Sequence, residues 1–316
     1  MERKYADEKI KSLLGNISSV IVGKEDRIKL ILTALLSSGH VLLEDLPGTG
    51  KTMLAKSLAK SLDVSFARIQ ATADLLPSDV TGINYFSQKE GDFIFRKGPV
   101  FTSVLLVDEI NRTTARTQSS LLEAMEERQV TVDGVTRRLD EPFFVIATQN
   151  PIETAGTYPL PEAQLDRFFM MLSLGFADKE EEVRILERFI SSSPLEKLES
   201  VMTRDELLEM KRAAGEVFVH KDIIRYIASI IDETRKDNKI SGVSTRGTLA
   251  LLRGSMSYAF IEGRDYVTPD DVKAVAPAIL SHRMIASHSI LERREGERII
   301  SRILSTVTVP SEKWEK

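Results

Sequence analysis

With 316 residues the chain can bury a sizeable core in one large or two ordinary domains, and its 43 basic against 47 acidic residues leave a net charge of −4 and no global basic field for nucleic acid. The absence of cysteine excludes disulfides, thiolate nucleophiles and cysteine-ligated metals, and the four histidines, His40, His220, His282 and His288, show no ligand spacing. No apolar run approaches the roughly 20 residues that span a bilayer, and the charged opening MERKYADEKIKSLLG has no signal-peptide pattern, so the expectation is a cytoplasmic protein not integral to a membrane.

The segment VIVGKE sets Val22 and Gly23 among small aliphatics, after which Ile28, Ile31, Leu32 and Leu35 recur at helical spacing and stop near Gly39. That helix leads into HVLLE, a short apolar run that reads as a buried strand of a parallel sheet. The loop DLPGTGKT follows, and from Thr52 onward Leu54, Ala55, Leu58 and Ala59 return to helical spacing. Strand, loop and helix in this order are what a phosphate-binding P-loop requires. Gly48 and Gly50 let backbone amides curve around an anion, and the helix turns its positive end to the same point. Lys51 neutralises outer phosphates, and the Thr52 hydroxyl suits magnesium, which prefers oxygen ligands. Asp45 stands where the strict pattern G-x-x-x-x-G-K-[ST] has its first glycine, and an ordinary strand-to-helix turn is the alternative for the loop alone.

A second signal lies at SVLLVDEINR, where another buried-strand run ends in Asp108 and Glu109. In a P-loop enzyme the first acid holds the magnesium and the second polarises the attacking water; the alternative is a solvated helix start. Further strands are expected at SFARIQAT, PFFVIATQN and FMMLSLG, with helical patterns between most of them, which indicates a parallel sheet flanked by helices. Two segments break the rhythm. TGINYFSQKEGDFIFRKGPVF reads as an inserted hairpin, and RQVTVDGVTRRL as a second hairpin around Asp133 and Gly134. Both are either edge decoration or projecting levers.

After Gly175 helical patterns dominate. One helix is capped by Thr268, with Pro269 in its first turn and Asp270 and Asp271 against the dipole. Another begins at STRGTLALLRG, where Ser244 or Thr245 caps and Arg246 lies at the positive end, a slightly unfavourable place that either solvent exposure or a phosphate would explain.

The motifs GHVLLEDLPGTGKT, DLLPSDVTG, KGPVFTSVLLVDEINR, TQSSLLEAMEERQVTVDG, VIATQNPIETAGTYPLPEAQLDRF and EGRDYVTPDDV run through nearly the whole chain, and in this order they resemble the MoxR family of AAA+ ATPases. The resemblance implies an α/β fold: a P-loop AAA+ core with a five-stranded parallel sheet and flanking helices over residues 1–175, then a smaller all-α lid domain over 176–316. It implies a helix-2 insert at about 81–98 and a pre-sensor hairpin at about 129–138, both near the pore of a ring. It implies ATP held by Pro47, Gly48, Thr49, Gly50, Lys51, Thr52 and Met53 together with Val22 and Gly23, and Mg2+ held by Thr52 and Asp108. Catalytic roles fall on Lys51, on Glu109 as base, on Asn150 as the sensor-1 residue, on Arg167 as the arginine finger toward a neighbouring subunit, and on Arg246 as the sensor-2 arginine, in cis or in trans. Arg112 is a further interface or phosphate candidate. Asp45 becomes a family variation that still leaves a carboxylate near the phosphates. The implied partners are a homo-oligomeric, hexameric ring and a protein client, such as one bearing a von Willebrand factor A domain, with no stable nucleic-acid partner. A nucleotide-dependent binding switch with negligible turnover, a DNA-acting motor and a magnesium-chelatase-type subunit are the alternatives.

Overall fold

A computed structural model of the protein describes residues 3–151, 156–190, 192–236, 240–286, 289–290 and 293–310. His288 and part of the motif that ends in LDRF, residues 152–155, lie outside them.

The charged opening forms helix α1 (Arg3–Ser18), whose Ala6, Ile10, Leu13 and Ile17 recur at four- and three-residue spacing and are buried. Helix α2 (Glu25–Leu36) follows on the expected stripe. Strand β1 (Val41–Glu44) then leads through the glycine loop into α3 (Lys51–Ser61), and β2 (Phe66–Gln70) into the short α4 (Pro77–Thr81). The inserted hairpin is β3 (Gly82–Ser87) and β4 (Asp92–Lys97). Strand β5 (Val104–Asp108) carries the acid pair at its end, α5 (Ala115–Glu127) runs back across the sheet, and the second hairpin is β6 (Gln129–Val132) with β7 (Val135–Arg138). Asp133 (φ 50°) and Gly134 (φ 76°) both take positive φ, the conformation a two-residue turn of this hand demands. Strand β8 (Phe144–Gln149), the short α6 (Glu162–Leu165) and β9 (Met170–Leu172) complete the core.

Five of these strands make one parallel sheet in the order β2-β5-β8-β1-β9. Both faces are covered, as the apolar runs require: Val41, Leu43 and Met170 point into one hydrophobic cluster with α1, α2 and α3, while Leu42, Leu105 and Met171 point into another with α5. The register lines up Glu44 with Gln149 and Gln70 with Asp108, so the ends that carry polar chemistry share one edge of the sheet.

Beyond Gly175 come α7 (Lys179–Phe189), α8 (Arg204–Ala214), α9 (Lys221–Thr234), α10 (Thr245–Ile261), α11 (Pro269–Leu280) and α12 (Arg293–Thr306). Between them sit three two-residue strands, β10 (Ile240–Ser241), β11 (Ile285–Ala286) and β12 (Ser289–Ile290), in a small antiparallel sheet that no alternating run announces. Leu251, Val272 and Val275 of this helical part belong to the same buried cluster as Ile28 and Ile31 of α2 and Met170 of β9, so it is docked on one side of the core through a continuous apolar layer.

Candidate functional site

The glycine loop leaves β1 at the carboxyl edge of the sheet. Gly48 (φ 87°) and Gly50 (φ 84°) are left-handed, a conformation that costs other residues about 1–2 kcal/mol. Gly50 caps α3, so the first amides of that helix face the same concavity, and Pro47 and Gly48 are open to solvent. The Lys51 ammonium folds over the loop, donating to the carbonyl oxygens of Asp45 at 3.0 Å and Leu46 at 3.1 Å, and the Thr49 hydroxyl donates to the Leu46 carbonyl at 3.3 Å. Thr52 and Met53 follow in the first turn of α3, half-buried beside the loop.

Asp45 does not hold its carboxylate toward the phosphate concavity, contrary to the expectation. The side chain is buried, 5 % exposed, and accepts hydrogen bonds from the Ser173 hydroxyl (2.6 Å) and from the amides of Leu174 (2.8 Å) and Gly175 (3.0 Å), where the chain leaves β9. Its backbone φ is not positive, so the first loop position needs no glycine here.

The acid pair sits two strands away on the same edge. One Asp108 oxygen accepts from the buried Thr148 hydroxyl at 2.9 Å, and the other accepts from Arg68 Nε (3.1 Å) and Nη2 (2.7 Å). Glu109 is itself left-handed (φ 56°), its amide donates to the Thr148 oxygen at 2.9 Å, and its carboxylate accepts from Gln70 Nε2 and Arg112 Nη1, each at 3.2 Å. Arg68 also donates to the Gln70 side-chain oxygen at 2.9 Å, so two residues of β2 tie the acids together. Asn150 follows the end of β8, next to Gln149, whose amide donates to Glu44 at the end of β1. Lys51, Thr52, Asp108, Glu109 and Asn150 are thereby brought to one rim. The Thr52 hydroxyl and Asp108 carboxylate are hard oxygen donors, a set that fits magnesium completed by phosphate oxygens and water.

Arg167 and Arg246 lie elsewhere. Met170 pairs level with Val41, the first residue of β1, and the Phe169 amide donates to the His40 carbonyl, so Arg167 precedes the amino edge of the sheet, roughly 10 Å along the strands from the rim that carries Lys51. There Arg167 Nη1 meets one Glu126 oxygen at 2.9 Å and Arg246 Nη2 meets the other at 2.5 Å. Arg246 also lies 3.6 Å from Asp166. These carboxylates offset the cation's unfavourable place at the start of α10, which Ser244 caps. Arg283, buried, donates to Asp166 at 2.8 Å and to the Phe168 carbonyl at 2.6 Å; its burial lowers its pKa to about 10.

Gly23 (φ 69°) abuts Glu181 of α7 so closely that a Cβ would collide with that carboxylate, and Lys24 donates to Glu181 at 3.3 Å and to the Phe176 carbonyl at 3.0 Å. Val22 is buried beside it, so this segment faces the passage into the helical part. His40 and His282 are core residues, bonded to the Met125 and Phe168 carbonyls respectively. The two hairpins touch: Asn84 donates to Asp133 at 2.7 Å, and the Arg137 guanidinium stacks 3.8 Å from the Phe95 ring centre. Phe86 and Phe93 pack on one another and remain exposed.

Arg68, Gln70, Thr148, Glu126 and Arg283 escape a reading by motif. Arg68 and Gln70 carry one weak signal: two polar residues on the same face of a strand that ends beside an acid pair.

Residues 40–170 match the ATPase family associated with various cellular activities (AAA), and residues 233–303 match the AAA lid domain. A Bacillus subtilis protein named YeaC is 48 % identical over 96 % of this chain and 97 % of its own. The chaperone MoxR1 of Mycobacterium tuberculosis is 39 % identical over 93 % of this chain and 80 % of its own. The crystal structure of a candidate ATPase from Cytophaga hutchinsonii superposes with a TM-score of 0.88 at 38 % identity, covering 98 % of this chain and 97 % of that one. With a P-loop rim on a parallel sheet in this strand order, a helical lid and relatives of this extent, the chain belongs to the MoxR family of AAA+ ATPases.

Proposed function

We propose that this protein hydrolyses ATP with magnesium and uses the cycle to remodel or activate a protein client as a cytoplasmic homo-oligomeric ring, most simply a hexamer. The observation that carries the reading is the division of chemistry between two edges. Lys51, Thr52, Asp108, Glu109 and Asn150 share the carboxyl rim, while Arg167 and Arg246 stand paired on Glu126 toward the amino edge, roughly 10 Å away along the strands. Two arginines so placed serve a nucleotide held by an adjoining copy.

On this reading the amides from Pro47 to Met53 and the Lys51 ammonium bind the phosphates, while Val22 and Gly23 flank the base beside the lid. Thr52 and Asp108 would hold the magnesium, which would supply charge neutralisation on the phosphates. Glu109 orients and deprotonates the attacking water, and Asn150 fixes that water's position. Arg167 and Arg246 of a neighbour stabilise charge that develops as the terminal phosphoryl group leaves. Arg112, bonded to Glu109, holds that carboxylate until substrate arrives. We assign residues 1–175 to the AAA+ core and 176–316 to the lid. The two hairpins, joined through Asn84–Asp133 and Arg137–Phe95, form the arm that meets a client with a von Willebrand factor A domain. The chaperone designation of the mycobacterial relative supports the remodelling reading.

The test is a pair of variants. Lys51→Ala abolishes ATP binding, whereas Glu109→Gln retains binding and loses about a hundredfold or more in turnover, the scale of general-base catalysis. Turnover at the wild-type rate in Glu109→Gln removes this residue as the base. With Glu109→Gln as bait, an ATP-dependent client is retained; retention of nucleic acid alone contradicts the remodelling function.

A further inference from the structure

We propose that Asp45 is a positioning residue, a strut that couples occupancy of the phosphate loop to the junction between the core and the lid. The proposal rests on the reading that this loop binds ATP. Two sets of contacts meet at this residue. Its backbone carbonyl accepts the Lys51 ammonium at 3.0 Å, and its carboxylate holds the Ser173 hydroxyl at 2.6 Å and the amides of Leu174 and Gly175 at 2.8 and 3.0 Å. Residues 173–175 are the sole covalent path from β9 toward α7, and Gly175 (φ 67°) makes the turn there.

The force on Asp45 depends on where Lys51 points. While the ammonium is bonded to the Asp45 and Leu46 carbonyls, it pins the start of the loop. A bound phosphate draws the ammonium away, because an anion is a stronger partner than a neutral carbonyl. The Asp45 main chain is then released, while its carboxylate still grips the junction, so the shift is passed to Leu174 and Gly175. A glycine at this position lets the loop bind phosphate but severs the link. Nothing in the local backbone requires glycine, since Asp45 keeps a negative φ, and the buried carboxylate has its charge compensated by three donors. Beside it, Lys24 bonds the Phe176 carbonyl and Glu181, so a second contact lies along the same passage into the lid.

The experiment measures hydrogen exchange across residues 173–178 in the full chain, with and without magnesium and the non-hydrolysable analogue AMP-PNP, beside a binding titration with the same analogue. In the wild type the analogue changes exchange of the Leu174 and Gly175 amides at least threefold. In Asp45→Gly the analogue still binds within about tenfold of the wild-type affinity, those amides exchange at least tenfold faster without it, and the nucleotide-dependent change is lost. Ser173→Ala, which removes one donor and leaves the carboxylate, gives an intermediate response and stands in if Asp45→Gly does not fold. A wild-type-like response in Asp45→Gly, or in Ser173→Ala where that variant stands in, overturns the strut. So does a wild type that binds the analogue without any change at 173–178. A wild type that fails to bind at all removes the nucleotide site, and the strut with it, and the titration separates that case from the others.

Discussion

At the scale of single residues, the charged groups of the rim are each bonded to protein partners. The Lys51 ammonium lies on carbonyls, Asp108 on Arg68, and Glu109 on Gln70 and Arg112. A guanidinium forked onto Asp108 competes with a cation for the same oxygen, and because its side chain is nearly half exposed the pair is worth about 1 kcal/mol. Arg68→Ala is therefore expected to lower the magnesium concentration for half-maximal binding of AMP-PNP about fivefold, read by titration at fixed analogue. A higher magnesium requirement would mean that Arg68 organises the site instead. What was legible at this scale was chemistry contiguous in the chain: Lys51 and Thr52 after two glycines, Asp108 and Glu109 after an apolar run. What was not legible depends on which strands are neighbours. Arg68 reaches Asp108 because β2 pairs with β5, Asp45 reaches Gly175 because β1 pairs with β9, and Glu126 joins Arg167 to Arg246 across 41 and 120 positions of sequence.

Elements with a clean period were read correctly from the sequence. Each sheet strand alternates between two buried clusters, so apolar character is continuous along it, and the Asp133–Gly134 turn declared its hairpin. Helix α1 was hidden because charged residues outnumber its four-residue apolar stripe, and β10 to β12 because two residues carry no period at all. Helix α11 shows both sides of the matter. Its Thr268 cap and Pro269 start were evident, and Thr268 and Asp271 form a reciprocal capping box, but Asp271 is 1 % exposed and takes two bonds from Arg264, seven residues before it. Asp271→Ala removes the anionic partner of Arg264 and one half of the capping box, while the Thr268 cap on the residue 271 amide and the Arg264–Thr268 bond remain, so it should cost about 2–3 kcal/mol in denaturant unfolding. A loss below about 1 kcal/mol would show the pair to be dispensable.

For the whole molecule, a continuous apolar layer joins α2 and β9 to α10 and α11. On the proposed function, a lid attached through that layer would move with the side of the sheet it covers, leaving the junction after β9 as the place of adjustment. On the same reading, the division of polar chemistry between two sheet edges sets a requirement for assembly: the rim with Lys51 would be completed by the Arg167–Arg246 pair of an adjoining copy.

The most direct test of that requirement is ATP turnover per subunit measured across protein concentration, alongside sedimentation that reports assembly, for the wild type and for Arg167→Ala. The account predicts negligible turnover in the dilute monomer, a rise that tracks assembly in the wild type, and a low, flat response in an Arg167→Ala protein that still assembles. Equal specific activity in monomer and assembly, or full activity in assembled Arg167→Ala, would contradict it.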